Sequence, residues 1–218
     1  MTNGRVHKDE VLMVMDYLIL HGFAGSTGGH WQEWLYQELN KRGFRACFPQ
    51  FPDWENPDKM VWLSILNKTM DEIQDTGRLT VVTHSLGCVL WLHYAAQATR
   101  KKVGRVILVS PPAIHPVPDS LSFFFPEPSE KKQQAEKAIA GFYPFPSDTR
   151  SLAEAADKTV IISSTTDPFM PDQSILEFRT YGVPIILLPA MGHINVGSGF
   201  GPWPWLLHAC LHNAFPFS

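Results

Sequence analysis

The stretch Leu79-Thr80-Val81-Val82-Thr83-His84-Ser85-Leu86-Gly87 runs from a β-branched segment into a turn of mostly small residues, and helical spacing of apolar residues follows over 86–98. This is the form of a nucleophile elbow. A serine hydroxyl is a weak nucleophile at neutral pH, so it needs a sharp strand-to-helix turn that exposes Oγ, a base, and aimed N–H donors. Thr83 stands where the first glycine of G-x-S-x-G would be. A buried serine in an ordinary strand-to-helix turn is the competing reading, and the rest of the chain has to decide between them.

Outward from the elbow, short apolar runs at 17–20, 45–48, 79–82, 105–109, 159–163 and 185–188 read as strands. Segments 31–42, 59–74, 86–98, 171–181 and 203–212 carry apolar residues at three- and four-residue steps and read as helices. Strands that are apolar on both faces and alternate with helices suit a mostly parallel sheet of about six strands in an α/β/α sandwich. Residues 112–150 break the rhythm, being rich in Pro and Phe, with Phe123-Phe124-Phe125 ahead of a helical stretch at 129–140. They read as an insertion above the strand ends, either a lid or a packed surface excursion.

A chain of 218 residues, 44% hydrophobic, is expected to form one core and a single domain. Its net charge of −3 offers no electrostatic reason for nucleic acid or an acidic membrane as a partner. The basic run Arg100-Lys101-Lys102 is placed to complement a helix end. Cys47, Cys88 and Cys210 are widely spaced in apolar contexts, which suggests neither a disulfide framework nor a metal cluster and points to a reducing, cytoplasmic setting. The apolar run at 11–20 is broken by Asp16 and reads as a strand rather than a targeting segment, and no run approaches the ~18 apolar residues of a membrane span.

If Ser85 is a nucleophile, an acid and then a histidine should follow in loops beyond later strands. Asp167 lies in the turn after 159–163, and His193 lies in the turn after 185–188. His193 would take the Ser85 proton and return it to the leaving group, while Asp167 would hold the imidazole tautomer and stabilise its cation. Asp172 is a competing acid, placed inside a predicted helix. Oxyanion donors are expected from the Leu86 N–H and from the His21-Gly22-Phe23-Ala24-Gly25 loop, with Phe23 the candidate. Gly25, Gly28 and Gly29 match neither G-x-G-x-x-G nor a Walker loop, so no nucleotide cofactor is expected. His208 and His212 share a helix spacing but lack a third ligand, so no metal is expected either. His21 and His84 read as structural supports, Cys88 as a buried small residue, and Trp31, Trp34, Trp54 and Trp62 as packing residues, of which Trp54, in a loop between prolines, is the one that could stand near a substrate.

His21-Gly22-Phe23, Gly29-His30-Trp31 with Trp34, Pro49 to Pro52 with Pro57 and Trp62, His84-Ser85-Leu86-Gly87, Asp167-Pro168, Gly192-His193-Ile194-Asn195, Ser198 to Gly201 and Trp203-Pro204 together carry a resemblance. The chain resembles the small α/β-hydrolases of the retinoblastoma-binding protein 9 / YdeN serine hydrolase family over nearly its whole length. The resemblance implies a Ser-Asp-His triad at Ser85, Asp167 and His193, and activity on small acyl esters, with thioester and amide cleavage open. Binding to retinoblastoma protein is not implied, since no L-x-C-x-E sequence occurs. A non-catalytic binding protein on the same fold is the alternative. Dehalogenase chemistry would want Asp at the elbow in place of Ser85.

Overall fold

The computed structural model describes residues 13–26, 28–171, 173–212 and 214. Its centre is a parallel sheet of six strands in the order β2-β1-β3-β4-β5-β6. The strands are β1 (Tyr17–Leu20), β2 (Ala46–Cys47), β3 (Thr80–His84), β4 (Val103–Val109), β5 (Ala156–Ser164) and β6 (Ile185–Leu188). The helices are α1 (Trp31–Lys41), α2 (Lys59–Glu72), α3 (Leu86–Ala95), α4 (Glu130–Ala140), α5 (Arg150–Glu154) and α6 (Pro204–His212).

Side chains alternate across a strand, so one strand feeds two cores. In β1, Leu18 and Leu20 join a cluster with Trp62 and Leu66 of α2 and Val89 of α3. Tyr17 and Ile19 face the other way, among Trp31 and Leu35 of α1 and Leu206 of α6. Leu18 and Ile19 are both wholly buried, each contributing about 1.5–3 kcal/mol by burial, so a one-residue slip of β1 is strongly disfavoured. The sheet edges are weaker: β2 has two residues, and Leu187 of β6 is 47% exposed.

Helix starts follow the capping rules. Asp58 accepts from Val61 N at the start of α2, Ser129 from Lys132 N at α4, and His30 from Gln32 N at α1. The helix read at 86–98 stops at Ala95, and the one read at 59–74 stops at Glu72 because Ile73 turns extended and bridges to Met13. Segment 171–181 is not an α-helix. Its described part forms 3₁₀ turns over Ser174–Tyr181, ended by Gly182 at φ 65°. Among the described residues no helix is long and apolar enough to cross a membrane.

Strand order reverses between β1 and β3, and in parallel α/β sheets ligands bind at the carboxyl ends of strands beside such a switch. Every loop named above as functional leaves a strand at that end. Residues 112–150 follow β4 there too. Lys132 Nζ donates to Ser122 Oγ at 2.9 Å and the Tyr143 hydroxyl to Ala113 O at 3.0 Å, which ties the segment to itself.

Candidate active site

The turn after β3 puts Ser85 at φ 51°, ψ −123°, a strained conformation for a residue with a Cβ. Neighbouring chain holds it there. Ser85 N–H donates to Val109 O at 3.0 Å, and α3 begins at once with Leu86. Gly87 is required because a Cβ would lie 2.6 Å from His21 O and 2.7 Å from Leu20 O, so only glycine lets α3 start over the end of β1. Thr83 is accommodated by its partner: its hydroxyl donates to Cys88 Sγ at 3.0 Å, and Cys88 Sγ–H donates to Val109 O at 3.3 Å. Burial pushes the Cys88 thiol up to about 12, so this sulfur is inert as a nucleophile.

The structure brings Ser85, His193 and Asp167 into one hydrogen-bonded chain. His193 Nε2 lies 2.9 Å from Ser85 Oγ, and His193 Nδ1 lies 2.9 Å from each Asp167 carboxylate oxygen. Asp167 stands three residues beyond β5, and Phe169 N–H donates to its Oδ1 at 2.9 Å. His193 stands in the loop after β6, where Gly192 takes φ 55° and would, with a Cβ, collide with Ser198 Oγ at 2.4 Å. That hydroxyl accepts His193 N–H at 3.0 Å and donates to Asn195 Oδ1 at 3.0 Å. Asp172 lies outside the described residues.

Gly22 presses the β1 loop onto the elbow, with the position of a Cβ only 2.8 Å from Ser85 Cβ and 3.0 Å from Leu86 N. Phe23 and Ser85 line one cleft of about 280 Å³, together with His30, Phe123, Phe124 and Asn195 among others. The Leu86 N–H is an unpaired first-turn donor of α3, and the Phe23 N–H donates to nothing among the described residues. Trp54 is not in that lining. It packs against Gly25 and accepts Ala24 N–H at 2.9 Å, bracing the loop.

Three further histidines surround the site as neutral rings. His21 donates from Nδ1 to Gly22 O at 2.8 Å and accepts Phe51 N–H at Nε2, and His84 Nε2–H donates to His193 O at 3.0 Å. Burial first, then the neighbouring His193 and His30, holds His84 well below the usual histidine range. Burial also lowers His21, against the pull of the Gly22 carbonyl, and burial with His193 and His21 takes His30 from 6.5 to about 4. A ring lowered in the fold leaves the unfolded chain binding more protons in that window, so its stabilisation is full above 6.5 and lost as pH falls. Urea midpoints should therefore drop steadily from pH 7 to pH 5, with His30 alone accounting for about 3 kcal/mol by pH 4. His30→Asn, which keeps a cap for α1, should flatten the slope. An unchanged midpoint at pH 5 would contradict neutral burial.

His30, Asn195 and Ser198 stand in motifs that carry the family resemblance, with no individual role legible for them in the sequence. A histidine directly before a helix start and an Asn-x-x-Ser turn are local signals of capping, and neither says which cleft the remaining polar atom meets.

A family profile described as Serine hydrolase matches residues 17–211. The protein named "Putative hydrolase YdeN" of Bacillus subtilis (strain 168) is 26% identical over 160 residues, covering 73% of this chain and 74% of that protein. The crystal structure of the B. subtilis ydeN gene product superposes with a TM-score of 0.73 at 23% identity, over 91% of this chain and 98% of that one. A monoacylglycerol lipase from Paleococcus ferrophilus superposes at 0.60 and 14% identity, over 84% and 88% of the two chains. The fold is that of the α/β-hydrolases.

Proposed function

The chain is a YdeN-like member of the serine hydrolase family, and from that premise we propose that it is a carboxylesterase for small acyl esters, working through Ser85, His193, Asp167 and an acyl-enzyme. The observation that carries the reading is the unbroken chain of contacts from Ser85 Oγ through His193 to the Asp167 carboxylate.

Ser85 Oγ attacks the ester carbonyl carbon as its proton passes to His193 Nε2. The tetrahedral oxyanion takes the Phe23 and Leu86 N–H groups, each such donor being worth about 10²–10³ in kcat. Asp167, buried beside Nδ1, stabilises the imidazolium without taking its proton. His193 then protonates the departing alkoxide, leaving the acyl group on Ser85. Water attacks that ester with His193 as base, and the acid leaves with Ser85 restored. Residues 112–150 act as a lid-like insertion in this reading, with Phe123 and Phe124 lining the cleft and Phe124 lying 5.4 Å from the Phe23 ring. Aromatic walls of this kind exclude water and favour an apolar acyl group.

A fluorophosphonate probe should label Ser85, and Ser85→Ala protein should stay blank under the same conditions. Equal labelling of the two would sink the nucleophile assignment. Nitrophenyl esters of increasing acyl length should show an optimum at short chains.

A further inference from the structure

The cleft in front of Ser85 has two kinds of lining. Phe23, Phe123 and Phe124 are apolar, whereas His30 and Asn195 bring polar atoms. Trp31 Nε1–H donates to Ile194 O at 2.7 Å, which holds His30, just before Trp31, and Asn195, just after Ile194, on adjoining pieces of chain. Both side chains are more than nine-tenths buried, at 5% and 9% exposure. Each has one polar atom engaged with the protein and another without a protein partner among the described residues.

The engaged atoms settle what the others are. Gln32 N–H can only donate, so His30 Nδ1, which accepts it at 3.2 Å, carries a lone pair, and the neutral ring holds its proton on Nε2. Ser198 N–H also can only donate, so the Asn195 atom 3.0 Å from it is Oδ1, and the NH₂ group lies on the other side of the amide. Neither donor is sealed in the way the partnerless Trp91 Nε1–H is. Among the described residues the cleft lining contains no Lys, Arg, Asp or Glu. Two neutral donors without a nearby cation suit an uncharged acceptor oxygen better than an anion.

The side of the substrate follows from proton transfer. His193 Nε2 must reach the departing oxygen, so the alcohol portion lies beside the His193 loop, where Asn195 is two residues further on. We propose that His30 Nε2–H and Asn195 Nδ2–H bind an uncharged oxygen in the alcohol portion of the substrate. The preferred substrates are thus esters of alcohols with an ether, hydroxyl or carbonyl oxygen near the scissile bond. The specificity assignment rests on the esterase reading above.

The test compares 2-methoxyethyl butyrate with butyl butyrate, equal in length and differing by one oxygen in place of a methylene. Wild-type kcat/KM should favour the methoxyethyl ester about two- to twelvefold, the range of one net hydrogen bond. His30→Ser still caps α1 through its hydroxyl, and Asn195→Asp still offers an acceptor to Ser198. In each variant the ratio between the two esters should fall towards one, and any loss common to both esters cancels from it. Calorimetric binding of the same two esters to Ser85→Ala protein should show the same preference without turnover. A wild-type ratio of one or less in kinetics and binding overturns the proposal, and so does a preference that survives both variants. Absence of hydrolysis together with absence of fluorophosphonate labelling would instead count against the esterase reading, while the binding ratio still decides the role of the two donors.

Discussion

Asp167→Asn should lower kcat by about 10⁴ while leaving the fold intact, the size seen when a triad carboxylate becomes an amide. Asp167 presents both oxygens to His193 Nδ1 at 2.9 Å, and Phe169 N–H holds Oδ1 from behind. In the variant the Phe169 N–H keeps the amide oxygen on its side, so the amide NH₂ takes the Oδ2 position against Nδ1. A donor there favours the tautomer with its proton on Nε2, which cannot accept one from Ser85. It also removes the anion that stabilises the imidazolium in the proposed mechanism, at a place where His193 is 1% exposed and solvent cannot compensate. The measurement is kcat on a nitrophenyl ester together with the rate of fluorophosphonate inactivation, and both should fall in step. Retention of a tenth or more of wild-type kcat would mean that another carboxylate serves His193.

Gly22→Ala should cost about 10²–10³ in kcat/KM, comparable to losing an oxyanion donor. The added methyl would lie 2.8 Å from Ser85 Cβ, 2.9 Å from His84 O and 3.0 Å from Leu86 N. These are backbone atoms and a Cβ, which cannot rotate away as the end of a flexible side chain would. The loop after β1 must therefore withdraw from the elbow, carrying the Phe23 N–H away from the Leu86 N–H. A displacement of about 1 Å is enough for a loss of that order. Stability should fall by about 1–3 kcal/mol, as for other overpacked sites. Gly77→Ala is the control, since its methyl would meet only Asp75 Oδ1 at 3.4 Å. Activity of Gly22→Ala within threefold of wild type would remove the β1 loop from the oxyanion site.

The strands were legible because their runs are apolar on both faces, as buried parallel strands must be. β1 and β6 fall on the residues expected, and β5 extends further at both ends, over Ala156–Ser164, because it pairs on both sides. Segment 171–181 misled because three- and four-residue apolar spacing also fits consecutive 3₁₀ turns. The five-residue α5 was too short to show a period. Thr83 departs from the glycine pattern, and Cys88, five residues on, takes up its hydroxyl. That contact is local in sequence, yet it is recognisable only once the turn is known to be tight.

From the sequence alone came the parallel α/β architecture and the order of Ser85, Asp167 and His193, each just past a strand, because strand periodicity and turn chemistry are local properties of the chain. Only the tertiary structure decided that these side chains lie within hydrogen-bond distance, across 108 residues between Ser85 and His193. It also decided the neutral state of His21, His30 and His84, and the close approach of Gly22 to the elbow. Those properties depend on burial and on partners distant along the chain, and no local pattern of residues encodes either.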